Sequence, residues 1–129
     1  MKLAIHEHAR GKSRYWHPDS VLVAIKGRPN LGACGDLGHW ARSGLDPVEC
    51  LKILEGHLVG IHAKDLDEAG NMDAQDVKVG TGVIDYDAIL KELDRQDYTG
   101  PIYIECEHDW ENNLGDVKYA VKYLRELTN

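Results

Sequence analysis

The chain has 129 residues, 43% of them apolar, and a formal net charge of −7 from 22 acidic and 15 basic side chains. That length makes one domain, residues 1–129, able to bury roughly two-thirds of the surface its unfolded form exposes. The acidic balance argues against a nucleic-acid partner, and no stretch reaches the ~20 apolar residues of a membrane span.

Strand and helix alternate four times. Lys2–Ile5 reads as a strand. Pro18–Lys26 reads as a helix, with Pro18 at its first position, Val21, Leu22 and Ile25 on one face, and Gly27 ending it. Leu31–Gly35 is a strand. Pro47–Glu55 is a helix, with Asp46 as N-cap, Glu49 three residues on and Gly56 closing it. Leu58–His62 is a strand. Asp85 caps a helix carrying Tyr86, Ile89, Leu90 and Leu93 on one face. Pro101–Glu105 is a strand, and Val117, Ala120, Val121 and Leu124 mark a final helix. Leu66–Ile84 is the longest irregular stretch, and a loop of that length is more often functional than idle. Its Gly80-Thr81-Gly82 lacks the lysine and following helix of a phosphate loop, so a backbone turn over the site is expected.

The strands are short and apolar without strict alternation, as in a parallel sheet covered on both faces. Four βα units make either a small open sheet or half of a (βα)8 barrel, whose usual length is ~250 residues. No secretory signal opens the chain, and Cys34, Cys50 and Cys106 form no CxxC pair. Buried free thiols in a reducing, cytoplasmic setting are expected.

Five of the seven histidines fall where a strand runs out, each beside a carboxylate: His6-Glu7-His8, Asp36 to His39, His62 to Asp65, and Glu105 to His108. Parallel-sheet enzymes place their chemistry at these carboxyl ends. His6, Asp36, His62 and Glu105 are each the first ionisable residue after their apolar run. Two imidazoles and two carboxylates suit one divalent ion, Mn, Zn, Co or Fe rather than Ca or Mg. Strand parity leaves Glu7 as the alternative to His6. His39 suits a second shell or a substrate hydroxyl. Lys64 and Asp65 suit orienting a ligand or polarising an oxygen. His8 and His108 are rim residues, His17 a helix-start residue and His57 a surface one. Trp16, Trp40 and Trp110 lie near these clusters, and Trp40 reads equally as an aromatic wall for a sugar ring or as packing.

The runs GACGDLGHWARSGLDPVECL, LVGIHAKDLDE, VGTGVIDYDAILKEL and GPIYIECEHDWEN resemble the sugar phosphate isomerase/epimerase family, which are xylose isomerase-like TIM barrels. The resemblance covers nearly the whole chain but only the C-terminal half of the family's barrel. It implies a divalent metal, often Mn, with Asp36, His62 and Glu105 at ligand positions and His39 at a substrate-contacting one. It implies proton transfer beside a carbonyl through a metal-stabilised enediolate, with two metal-bound carboxylates as acid and base. The substrate is a sugar or sugar phosphate.

One departure stands out. The family's remaining ligand is a Glu at the end of the first strand seen here, where this chain has His6 followed by Glu7. That keeps a ligand and removes one base. A one-base isomerase, dehydratase or lyase therefore stands beside the epimerase reading. Glu105 is then the main base, His39 and Lys64 assist it at substrate oxygens, and Trp40, His8 and Glu107 complete the substrate contacts. A (βα)4 half-barrel exposes its edges, so a homodimer or a missing N-terminal half is expected to complete it. A non-catalytic half-barrel that retains the fold and the metal ligands is the competing reading.

Overall fold

A computed structural model describes residues 1–128. The elements, in chain order, are β1 (Leu3–His6), α1 (Pro18–Ile25), β2 (Leu31–Asp36), α2 (Leu37–Arg42), α3 (Pro47–Ile53), β3 (Leu58–Ala63), β4 (Asp65–Leu66), β5 (Asp76–Val77), α4 (Tyr86–Arg95), β6 (Ile102–Ile104) and α5 (Leu114–Leu127). The main sheet runs β1-β2-β3-β6, all parallel, with Ile5 beside Ala33, Asp36 beside His62, and Ala63 beside Ile104. Spatial order follows chain order, so right-handed crossovers place the connecting helices on one face. This is the predicted half-barrel wall.

The hydrophobic core lies between that face and the helices. Ala33, Ile61 and Ala63 from the sheet meet Val21, Leu51, Leu54, Ile89 and Leu93 in a single buried cluster. Alternation sends Cys34, Gly60 and Tyr103 to the opposite face. A Cβ built on Gly60 would lie 3.3 Å from the Tyr103 ring and 3.7 Å from Cys34 Sγ. Tyr103 is 54% exposed there, so the inner face is uncovered in this chain. β1 and β6 each have a free edge among the described residues.

The helix starts follow the predicted caps. Asp46 accepts from Val48 N (2.8 Å) and Asp85 from Ala88 N (3.0 Å). Glu49 bonds Lys52 (2.7 Å) instead of closing a box back to Asp46. His17 caps α1 through Nδ1, which accepts from Asp19 N at 3.3 Å. Among the described residues no helix is long and apolar enough to cross a membrane.

Two features differ from expectation. The first is α2, which begins directly at the end of β2 with Asp36 as its cap. The second is the stretch read as irregular, Leu66–Ile84, which folds back through the two-residue strands β4 and β5. Asp65 anchors it. Its carboxylate accepts from Gly80 N (2.9 Å), Gly82 N (3.0 Å), Ile84 N (3.0 Å) and Leu66 N (3.0 Å). A Cβ on Gly82 would strike Leu66 O and the Asp65 carboxylate, which is why glycine stands there. The glycine pair therefore cradles a carboxylate of its own chain. Asp65, only 1% exposed, serves the loop and not a ligand, contrary to the sequence expectation.

Asp65→Ala leaves these amides without an acceptor. Each stranded buried donor costs about 1–3 kcal/mol, so a total loss of roughly 3 kcal/mol or more is expected. Urea denaturation checks this through a lowered midpoint at unchanged slope.

Candidate metal centre at the strand ends

Each strand of the main sheet delivers one donor to its carboxyl end. His6 and Asp36 close β1 and β2, His62 is next to last in β3, and Glu105 follows β6. One ligand atom from each of the four lies within 4.8 Å of all the others. His6 Nε2 is 3.2 Å from Asp36 Oδ2, His62 Nδ1 is 3.9 Å from the same oxygen, and His62 Nδ1 bonds Glu105 Oε2. Donors of a tetrahedral shell with ~2.1 Å bonds stand about 3.4 Å apart, so these spacings bracket a metal shell. The donor set, two nitrogens and two carboxylates, fits a divalent transition metal.

Asp36 is the fixed point. It is 0% exposed. Its Oδ1 accepts from His39 N (2.8 Å), capping α2, while Oδ2 faces His6 and His62. Glu105 is freer, with 19% side-chain exposure. Its burial alone would raise its carboxyl, but the His62 bond and the Lys64 ammonium win and hold it down at about 2. The Cys34 thiol and then Glu105 push the His62 imidazole up to about 10.

His6, and not Glu7, reaches the cluster. Glu7 points the other way, 0% exposed, with Oε2 accepting from Trp40 Nε1 at 2.9 Å. Burial pushes its carboxyl up to about 8, against the lowering effect of the Trp40 bond. Trp40 is likewise 0% exposed and packs against Gly35, so it is core and not a wall for substrate. Lys64 is also fully buried. Its Nζ lies 2.9 Å from Glu105 Oε1 and bonds Glu107 Oε2, leaving no open surface for a substrate oxygen. Its stem crosses Gly38, where a Cβ would come within 2.5 Å of Lys64 Cγ. The glycine of the D-x-G-H run thus makes room for the lysine of the H-x-K-D run.

His39 is 6% exposed; neither ring nitrogen is hydrogen-bonded, and Nε2 lies 3.9 Å from Asp36 Oδ2. Burial lowers its imidazole to about 4, so it is neutral near pH 7. The exposed His8 ring lies 4.6 Å from His39 and 4.7 Å from His6, at the rim. Glu107 is 42% exposed and shares that rim.

A cavity of about 620 Å³ opens beside the centre, lined by Arg42, Asp76, Glu107, His108 and Trp110 among others. Arg42 and Asp76 pair at 2.5 Å across α2 and β5. Trp110, 74% exposed, is the tryptophan that faces this opening. His108 bonds Asp116 (3.0 Å), and Lys78 reaches the same carboxylate (2.9 Å), tying the segments after β6 and after β5 to the first turn of α5. Sequence reasoning noted Trp110 but missed Arg42 and Asp76. An arginine on an unforeseen helix and an aspartate in a supposed coil carried no signal.

The model of the xylose isomerase-like TIM barrel family matches residues 1–127. The inosose dehydratase of Clostridium perfringens is 27% identical over 146 residues, covering 100% of this chain and 49% of that protein. Among solved structures, a D-tagatose 3-epimerase-like protein superposes with a TM-score of 0.83 at 25% identity, over 99% of this chain and 47% of that one. A xylose isomerase domain protein from Planctomyces limnophilus gives 0.76 at 28% identity, over 98% and 45%. The chain spans about half the length of the curated relatives it matches. Family match, half-barrel sheet and strand-end donors agree, and the chain belongs to the xylose isomerase-like TIM barrel family.

Proposed function

We propose that this chain carries the metal-binding half of an enzyme that moves a proton beside the carbonyl of a keto-sugar or sugar phosphate, as an isomerase or epimerase. The observation that carries the reading is the convergence of His6, Asp36, His62 and Glu105 at four successive strand ends. Likeness to an epimerase-like structure and to an inosose dehydratase supports the substrate class. A divalent ion held there, Mn or Zn by donor chemistry with Co or Fe as alternatives, would polarise the carbonyl and acidify the adjacent carbon.

The chain's own residues divide the remaining work by their exposure and their partners. Asp36 is locked by the α2 cap and stays a ligand. Glu105 is partly exposed and held ionised by Lys64, so it takes the proton. Lys64 acts through Glu105, as a positioning residue. His39, neutral and without a hydrogen bond at either ring nitrogen, gives or takes one hydrogen bond with a substrate hydroxyl. His8 and Glu107 at the rim meet further hydroxyls, and Trp110 is placed to cover a ring face.

One observation favours a second reading, dehydration. His6 stands where epimerases of the resembling family carry a second carboxylate, and Asp36 is not free to act. A single carboxylate base suffices to remove a proton before a hydroxyl departs. The free edges of β1 and β6 support a complement to the half-barrel, a second copy or the N-terminal half of a longer chain.

The purified chain is expected to hold about one divalent ion, lost to EDTA and in His62→Ala, as elemental analysis of the size-exclusion peak would show. With a keto-sugar in deuterated water, the loaded protein is expected to put deuterium beside the carbonyl. Glu105→Gln should slow this by roughly two to four orders of magnitude. Recovery of an epimer or isomer supports the first reading, and an ultraviolet-absorbing unsaturated ketone the second. Metal binding without exchange would make the chain a non-catalytic half.

A further inference from the structure

The half-barrel wall ends in two free edges, and they differ in charge. At the carboxyl end of β1 the loop toward α1 presents Arg10, Lys12 and Arg14, all exposed. At the carboxyl end of β6 the loop toward α5 presents Asp109 and Glu111, also exposed. At the other end of the sheet Lys2 enters β1, and Asp97 lies in the turn before β6. Among the described residues none of these pairs with an opposite charge. The edges also differ in shape. Ile5 packs into the core between sheet and helices, so alternation sends Leu3 to the same side, yet Leu3 is 60% exposed. Nearby, α1 leaves Val23 76% exposed beside Arg14 and Tyr15. The β6 edge is hollow where the β1 edge protrudes. A groove of about 370 Å³ lies there, lined by Leu90, Ile102, Ile104, Val121 and Leu124.

We propose that a second copy of this chain closes the barrel, with β1 of each copy beside β6 of the other. This rests on the reading that the half-barrel takes a complement, and it names that complement. A two-fold axis along the barrel keeps every strand parallel and uses each edge once, so the two seams are identical. Four strands from each copy make the eight of a closed barrel, and no edge remains. At each seam the partner's Leu3 enters beside Ile102, the first residue of β6, and fills the groove. The partner's α1, with Val23, stands next to α5. Charge selects the occupant. A complement must be basic where it meets the loop after β6 and acidic where it meets the loop after β1. This chain carries both, in that order around the barrel.

Closure also finishes the mouth. The strand that follows β6 is the partner's β1, so the partner's loop with Arg10, Lys12 and Arg14 lies alongside the loop carrying Glu107, His108 and Trp110. It becomes the far side of the cavity those three residues line. Each copy therefore supplies cations to a wall that is acidic in the other.

The test is sedimentation of the purified chain over a range of concentration and salt. A dimer of 14.5 kDa subunits is expected, and salt should weaken it because the seam charges are exposed. Lys12→Glu with Arg14→Glu puts like charges at both seams, and so does Asp109→Asn with Glu111→Lys. Each pair of changes should raise the dissociation constant by roughly 100-fold. Asparagine suits position 109, where φ is 43°. Mixed in equal amounts, the two variants meet with opposite charges at both seams and should dimerise again, which also shows that both fold. A wild-type monomer at every concentration overturns the inference and assigns the edges to a different chain. A dimer that ignores both swaps, or variants that fail to rescue each other, overturns the seam. Metal in the same sample is scored separately. A monomer with about one ion sinks this inference and leaves the quartet reading intact, whereas a metal-free dimer with the expected swaps supports closure and sinks the quartet.

Discussion

The carboxyl end of this sheet is organised by how Asp36 divides its two oxygens. One caps α2 through His39 N, and the other faces His6 and His62. Strand end, helix start and donor cluster are therefore tied together through one side chain. The chain turns from β2 straight into α2 with no loop, because the cap replaces the turn that a loop would supply. The capped amide belongs to His39, so its imidazole is carried round one helical turn to the flank of the cluster. Gly38, between them, leaves the gap through which Lys64 passes. The D-x-G-H spacing is thus a cap, a gap and an imidazole, each required by the others.

The two residues after the next strand end do opposite things. Lys64 turns inward between Glu105 and Glu107, with Asp76 and Asp36 close by. Asp65 turns the other way and collects amides from the loop that follows. Adjacent side chains of an extended segment point to opposite sides, so a lysine–aspartate pair serves site and scaffold together. Electrostatically the order matters. The inward acids outnumber their partner, and Glu105 is held ionised by geometry it does not itself control.

Much of this was legible in the sequence, for a physical reason. The strands are short apolar runs, and the first ionisable residue after each run must sit at the sheet's edge, so His6, Asp36, His62 and Glu105 announced themselves. Parity at β1 could not be read, because His6 and Glu7 are both titratable and the side facing the helices became plain only from Trp40. That residue shows the limit well. A tryptophan beside a histidine suits a sugar wall and a core plug equally, and burial decided for the core. α2 escaped notice since its glycine lowers helix propensity and its cap had already been read as a ligand. The strands β4 and β5 have two residues each, too few to carry any periodicity. Lys64 stands two residues past His62 in the sequence, and its burial among acids is a product of tertiary packing.

The clamp on the loop after β3 has a consequence for how such proteins diverge. Asp65 holds backbone amides, not side chains, so what it recognises is the path of the loop and hardly its chemistry. Apart from Gly82, whose Cβ has no space, Gly80 beside the Tyr123 ring, the core residues Ala74, Val79 and Ile84, and the paired Asp76 and Lys78, the loop's exposed positions can change while its course over the mouth persists. Relatives sharing the anchor can therefore present different side chains to different substrates over the same frame, and substrate preference can drift without the fold having to be solved again.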